Sequence, residues 1–220
     1  MALFQRLLIA NRGEIAVRVI RACRELGISP IAVYSEADRH ALHVRMADSA
    51  RLIGPPPASE SYLHVERILE AAKATAADAV HPGYGFLAEN AEFAQACADA
   101  GMVFVGPPPK AMRDLGLKTE ARKLMQRAGV PVVPGTLEPV SEIEDLRRLA
   151  EETGYPVALK AVAGGGGKGL RIVAEPAQLE AAFRQATSEA GAAFGNAAVY
   201  LERAIERPRH IEVQILADQH

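Results

Sequence analysis

The stretch Tyr155-Pro-Val-Ala-Leu-Lys160-Ala-Val-Ala-Gly164-Gly-Gly-Gly167-Lys168-Gly169-Leu-Arg-Ile-Val173 places an apolar strand with one lysine, a glycine run and a second apolar strand in immediate succession. Successive glycines remove every Cβ, so backbone N–H groups can fold around phosphate oxygens in conformations that other residues reach only with strain. Lys160 and Lys168 add positive charge on either side. The pattern predicts a phosphate-binding flap.

Two better-known glycine loops are excluded by context. Gly164, Gly166 and Gly169 satisfy G-x-G-x-x-G, but a dinucleotide turn must open a helix, and Leu170 to Val173 is a short β-rich run. A Walker A loop needs glycine where Val162 stands and Ser or Thr where Gly169 stands. A flexible linker would be polar and serine-rich rather than clamped between apolar strands. What remains is a hairpin lid over a nucleotide.

Working outward, residues 6–10 read as a strand, followed by Asn11-Arg-Gly-Glu14, whose spacing predicts a capping box at the start of a helix over 13–26. A strand follows at 31–34. The alternation continues with a strand at 51–53, a break at Pro55 to Pro57, a helix over 61–73 and a strand at 78–81. His81-Pro-Gly-Tyr-Gly-Phe-Leu-Ala-Glu-Asn90 then forms a loop at the carboxyl end of a strand, where doubly wound sheets place ligands. A helix through Phe93 and Cys97 and a strand at 102–105 complete an open, mainly parallel, Rossmann-like sheet.

After Gly106-Pro-Pro-Pro109 the pattern changes. Helices are expected over 118–128 and 141–152, the second with a Ser141-x-x-Glu144 capping box, followed by the Lys160 strand and its lid. A helix from Pro176 to about residue 190 and strands at 199–203 and 210–217 end the chain. The expected organisation is an amino-terminal α/β domain over 1–115, a linker and lid subdomain over 116–204, and the start of a further domain over 205–220. An alternating strand at the very end, ready for an edge, suggests a piece of a longer protein.

Composition narrows the function. With 25 basic and 27 acidic residues, a net charge of -2 and 5% aromatics, the chain has no footprint for nucleic acid or a membrane surface. Its 49% hydrophobic content fits a packed core, and no run approaches the roughly 18 apolar residues of a membrane span. A cytoplasmic location is the expectation. Cys23 and Cys97 fall on apolar helix faces and read as buried thiols, and the six histidines show no metal-ligand spacing.

Ile9-Ala-Asn-Arg-Gly-Glu-Ile15, His81-Pro-Gly-Tyr-Gly-Phe86, Leu159-Lys-Ala161 with its glycine loop, and Pro208-Arg-His-Ile-Glu-Val-Gln214 together resemble the biotin carboxylase family, in order and across the whole chain. The run Val33 to Asp38 and the Gly106 to Pro109 segment are most similar to the subunits of acyl-CoA carboxylases such as the methylcrotonyl-, propionyl- and acetyl-CoA enzymes. The resemblance implies an ATP-grasp fold behind a pre-ATP-grasp domain. It also implies a reaction in which bicarbonate attacks the γ-phosphate of ATP held with Mg2+ or Mn2+. The resulting carboxyphosphate gives its carbon dioxide to biotin on a carrier.

On the same basis Lys118, Lys160, Gly166 and Gly167 are expected at the ATP phosphates, Glu202, Arg203, Ala204 and Ile205 along the adenine, and His210 at the nucleotide. Leu117 stands where the family more often has aspartate. The metal carboxylates, the groups that hold bicarbonate and biotin, and the catalytic base match nothing in these 220 residues. The chain alone is therefore expected not to carboxylate biotin, and at best to bind nucleotide weakly. Implied partners are bicarbonate, carrier-bound biotin, a biotin carboxyl carrier protein or domain, a carboxyltransferase and a second copy of the chain. The carboxylating part of pyruvate carboxylase or urea carboxylase, and a non-catalytic nucleotide-binding module, share these features. A dinucleotide oxidoreductase is disfavoured, because the first strand-to-helix turn, Ala10 to Gly13, lacks the glycine fingerprint.

Overall fold

The computed structural model describes residues 4–116, 118–162, 169–211, 213 and 215–217. The chain divides into two compact units, Met1–Gly116 and Leu117–His220.

The first unit alternates strands and helices: β1 (Arg6–Ile9), α1 (Gly13–Glu25), β2 (Ser29–Ser35), α2 (Leu42–Met46), β3 (Ser49–Gly54), α3 (Val65–Ala74), β4 (Ala79–His81), α4 (Ala91–Asp99), β5 (Val103–Phe104) and α5 (Pro109–Gly116). The five strands form one sheet in the order β3-β2-β1-β4-β5, and every neighbouring pair is parallel. Because strand side chains alternate, Leu8 and Ala10 pack on one face with Ile68, Phe93 and Cys97, while Ile9 meets Ala16 and Ile20 of α1 on the other. A sheet covered on both faces explains why its strands read as continuous apolar runs.

The second unit contains α6 (Lys118–Arg127), α7 (Ile143–Thr153), β6 (Val157–Ala161), β7 (Arg171–Val173), α8 (Leu179–Phe194) and β8 (Val199–Arg203). Its sheet has the order β7-β6-β8, antiparallel throughout. Val157, Leu159, Val173, Val199 and Leu201 face α7 and α8 and pack on Leu146, Ala150, Leu179 and Ala186. Strands β6 and β7 are the two apolar arms of the stretch first quoted. Of the residues joining them, 163–168 lie outside the described residues.

Several expectations are corrected. Asn11 does not cap α1: Arg12 takes that position without a side-chain bond, and Asn11 is buried and bonded elsewhere. Glu142, not Ser141, precedes α7, in extended conformation, and two residues earlier the Val140 amide donates to Val199 O of β8 at 2.8 Å. α3 begins at Val65 rather than 61, after a 3-10 turn over Ala58–Glu60. Two short helices, α2 and α5, were not anticipated. Pro109 opens α5 because the first turn of a helix has no use for the missing N–H.

The strand expected over 210–217 is not formed by residues 210, 211, 213 and 215–217, and residues 212 and 214 lie outside the described set. Ile211, Val213 and Ile215 are exposed. The outer edge of β8 is already taken by the 134–140 segment, through Thr136 N–H to Leu201 O at 2.7 Å, Val140 N–H to Val199 O at 2.8 Å and Arg203 N–H to Pro134 O at 2.8 Å.

Candidate functional site

In the second unit the helix-covered face of the sheet is apolar, and the opposite face carries Ala158 and Lys160 of β6 and Tyr200 and Glu202 of β8. The register pairs Lys160 with Tyr200 and Ala158 with Glu202, so Lys160 and Glu202 are diagonal neighbours on one face. Long side chains cross that diagonal. The Lys160 ammonium meets Oε1 of Glu202, while Nη1 of Arg122, from α6, lies 3.1 Å from Oε2.

Arg122 is held from three directions. Its Nη2 donates to the Val133 carbonyl at 2.5 Å, and its guanidinium carbon stands 5.9 Å from the centre of the Tyr200 ring. The exposures of the three charged side chains are 12% for Arg122, 10% for Glu202 and 33% for Lys160. A nearly buried carboxylate between two cations is neutralised with one positive charge to spare, which suits an anionic ligand. Burial, with the Glu202 charge beside it, pushes the Tyr200 hydroxyl up to about 12, so it stays protonated.

Lys118 opens α6 four residues before Arg122, hence on the same side of the helix. Gly166 and Gly167 lie outside the described residues. Arg203 and Ile205 are exposed, and Ala204 is half-buried. The amides of Arg203 and Ala204 donate to the carbonyls of Pro134 and Pro156 at 2.8 and 2.9 Å. A base reading these two residues therefore meets their carbonyls or side chains, not their N–H groups. His210 is exposed, past the end of β8.

Among the described residues no group of three or more His, Cys, Asp or Glu is placed to hold a metal ion. The acidic group on this face, Glu202, is occupied by two cations. These residues fit a phosphate and not a magnesium ion. Among the same residues no helix is long and apolar enough to cross a membrane.

The first unit places the loop expected at 81–90 as anticipated, at the carboxyl end of β4 beside that of β1. Asn11 clamps it, donating through Nδ2 to Pro82 O at 2.8 Å and Tyr84 O at 2.9 Å while its Oδ1 accepts from Arg12 N–H at 2.9 Å. Gly83 is required there: its φ is +67°, and a Cβ would stand 2.7 Å from Asn11 Nδ2. Next to the clamp, Asp38 accepts from Tyr62 Oη at 2.7 Å and Ser35 Oγ at 3.0 Å, with Arg12 at 3.4 Å. Burial would raise its pKa, but these hydrogen bonds and the Arg12 charge hold it below the ordinary carboxylate value. Arg12 in turn lies over the stacked rings of Tyr62 and Phe86. Cys23 and Cys97 are buried, and burial raises both thiols, Cys97 to about 12, so neither is a nucleophile at neutral pH.

Sequence reasoning missed Arg122, Tyr200 and the Asn11 clamp. Arg122 had a visible signal, its spacing of one helical turn from Lys118. Tyr200 had another, its alternation with Glu202 along β8.

A parallel α/β unit followed by an antiparallel sheet with a glycine hairpin is the architecture of the ATP-grasp ligases that carry a pre-ATP-grasp domain. Comparison with known proteins agrees at each level. Residues 3–112 match the biotin carboxylase N-terminal domain, and residues 118–220 the ATP binding domain of the carbamoyl-phosphate synthase L chain. Biotin carboxylase of Nostoc sp. is 55% identical over 217 residues, which are 99% of this chain and 48% of that protein. The alpha subunit of mitochondrial methylcrotonoyl-CoA carboxylase from Oryza sativa is 53% identical over 98% of this chain and 29% of its own length. A crystal structure of the biotin carboxylase domain dimer of Hydrogenobacter thermophilus 2-oxoglutarate carboxylase, in complex with MgADP, ADP and bicarbonate, superimposes with a TM-score of 0.90 at 48% identity, covering 94% of this chain and 45% of that one. The chain belongs to the biotin carboxylase family. It spans about half the length of the biotin carboxylase it matches in Nostoc.

Proposed function

We propose that this chain supplies the amino-terminal domain and the nucleotide-phosphate face of a biotin carboxylase, the ATP-dependent ligase that carboxylates carrier-bound biotin with bicarbonate. The observation that carries the reading is the sheet face on which Lys160, at the root of the glycine hairpin, is paired with a buried Glu202. Lys118, Lys160 and the backbone of Gly166 and Gly167 take the ATP phosphates in this reading. Glu202, Arg203, Ala204 and Ile205 line the base, and His210 contacts the nucleotide. An oxygen of bicarbonate displaces ADP at the γ-phosphorus, and carboxyphosphate then splits into inorganic phosphate and carbon dioxide, which bonds a ureido nitrogen of biotin as that nitrogen gives up its proton. The contribution of this chain is to place and neutralise the phosphates as charge shifts to the leaving group. Magnesium, held by groups other than those described here, would supply further neutralisation.

The division at 1–115, 116–204 and 205–220 belongs to the same proposal. So do a homodimer, as in the Hydrogenobacter domain, a carrier and a carboxyltransferase as partners, and a cytosolic setting. The acyl-CoA carboxylase type, with no particular acceptor, is part of the proposal, supported by the motifs at Val33 to Asp38 and Gly106 to Pro109 and by the Oryza relative.

Calorimetric titration with MgATP and with NADH tests the reading. MgATP is expected to bind and NADH not to, and Lys160→Ala should weaken MgATP at least about tenfold, the equivalent of about 1.4 kcal/mol. NADH binding that ignores the substitution, or MgATP binding unchanged by it, overturns the proposal.

A further inference from the structure

Glu202 is satisfied by two cations of different character. Arg122 is nearly buried and fixed by the Val133 carbonyl, the Glu202 carboxylate and the Tyr200 ring. Lys160 is more exposed and reaches Glu202 through a flexible four-carbon stem. If Lys160 is to serve the phosphates of a bound nucleotide, it has to leave Glu202 at least in part. A buried carboxylate stripped of its counterion is costly, and that cost would be subtracted from nucleotide affinity.

We infer that Arg122 is a positioning residue of the nucleotide site: it holds and neutralises the Glu202 carboxylate, so that Lys160 can transfer its charge to the nucleotide phosphates. The inference rests on the function proposed above and adds a residue to it. Arg122 touches no phosphate itself. Its place at the second oxygen of Glu202 leaves the first oxygen as a resting partner that aims Lys160 across the sheet face. The planar fork of arginine suits this task, since Nη1 faces the Glu202 carboxylate while Nη2 faces the Val133 carbonyl in one fixed geometry.

The test is MgATP titration of the wild-type chain, Lys160→Ala, Arg122→Met, Arg122→Lys, Glu202→Gln and the double variant Arg122→Met with Glu202→Gln, each checked for folding by circular dichroism. Arg122→Met is expected to weaken MgATP at least about tenfold with Lys160 intact, and Arg122→Lys to recover part of that loss. The double variant should bind as well as Glu202→Gln alone, because a neutral amide needs no counterion. A merely structural arginine would give no such rescue.

Full affinity in Arg122→Met, or a double variant as weak as Arg122→Met when Glu202→Gln alone binds well, overturns the inference while the loss in Lys160→Ala leaves the site assignment standing. Wild-type chain that binds no MgATP overturns both. Should Arg122→Met fail to fold, Arg122→Lys and the double variant decide by the same comparison.

Discussion

At Asn11 one amide group ties together the exits of two strands, reaching carbonyls 71 and 73 residues further along the chain. Its replacement by alanine leaves the Pro82 and Tyr84 carbonyls without their donor in a part-buried crevice. Unsatisfied buried acceptors cost about 1–3 kcal/mol each, so Asn11→Ala should lower stability by about 2–4 kcal/mol in urea denaturation. Asn11→Asp should do no better, since it presents acceptors to acceptors. A change under about 0.5 kcal/mol would mean that the clamp is ornamental. Asn11 also marks the limit of local reading. The spacing Asn11 to Glu14 describes a capping box correctly as a local possibility, but a long-range pair of carbonyls competes for the same side chain and wins. Lys160 stood out in sequence because it shortly precedes the glycine run, whereas Glu202 entered through the family resemblance alone and its pairing with Lys160 was not anticipated. Arg122 carries no motif of its own, and its partners Glu202 and Tyr200 become neighbours only when β8 folds against α6.

At the scale of elements, the hairpin β6–β7 depends on its return residue. Gly169 has a φ of +71°, and an added Cβ would lie 2.8 Å from the Cβ of Ala161. Gly169→Ala therefore combines backbone strain with a clash at the last residue of β6. The substitution is expected to cost about 1–3 kcal/mol and to speed hydrogen exchange in residues 157–161 and 171–173, read by mass spectrometry. Unchanged exchange in both strands would show that the turn relaxes freely. The hairpin itself was predictable because β-rich arms flank the glycines, and periodicity over adjacent residues is what sequence displays best. Elements whose existence depends on distant partners were not. α5 hid behind Pro107, Pro108 and Pro109, which read as a break although the last of them is a good first helical residue. The pattern over 210–217 advertised a strand, but none of its described residues joins a ladder.

At the scale of the molecule, the described residues whose titration makes the fold sensitive to acid lie in the first unit. His43 is buried against the Val33 carbonyl, and burial lowers its pKa below 6.5 despite the opposing bond and the Asp38 charge. Burial likewise lowers His81, whose Nδ1 accepts from Gly83 N–H at 2.9 Å. Both are neutral in the folded state where the unfolded chain already binds protons. Stability therefore rises with pH through the region below 6.5 and is lost as pH falls through it. Asp38, with its depressed pKa, adds a further loss on acidification through and below its ordinary value of 3.8. The urea midpoint, followed by circular dichroism, should drop between pH 7 and pH 5, and His43→Gln should flatten that slope. A midpoint that is level or climbs on acidification would contradict the assignment.

The strand order β3-β2-β1-β4-β5 also has a consequence in time. β1 is made first and ends in the middle of the sheet, with β2 on one side and β4 on the other. Its partner on the second side is not synthesised until residues 79–81. Through most of the synthesis of this unit, the central strand has one edge with no native neighbour. That interval is when a ribosome-bound chain is most open to pairing with the wrong strand, and when a chaperone would be needed most.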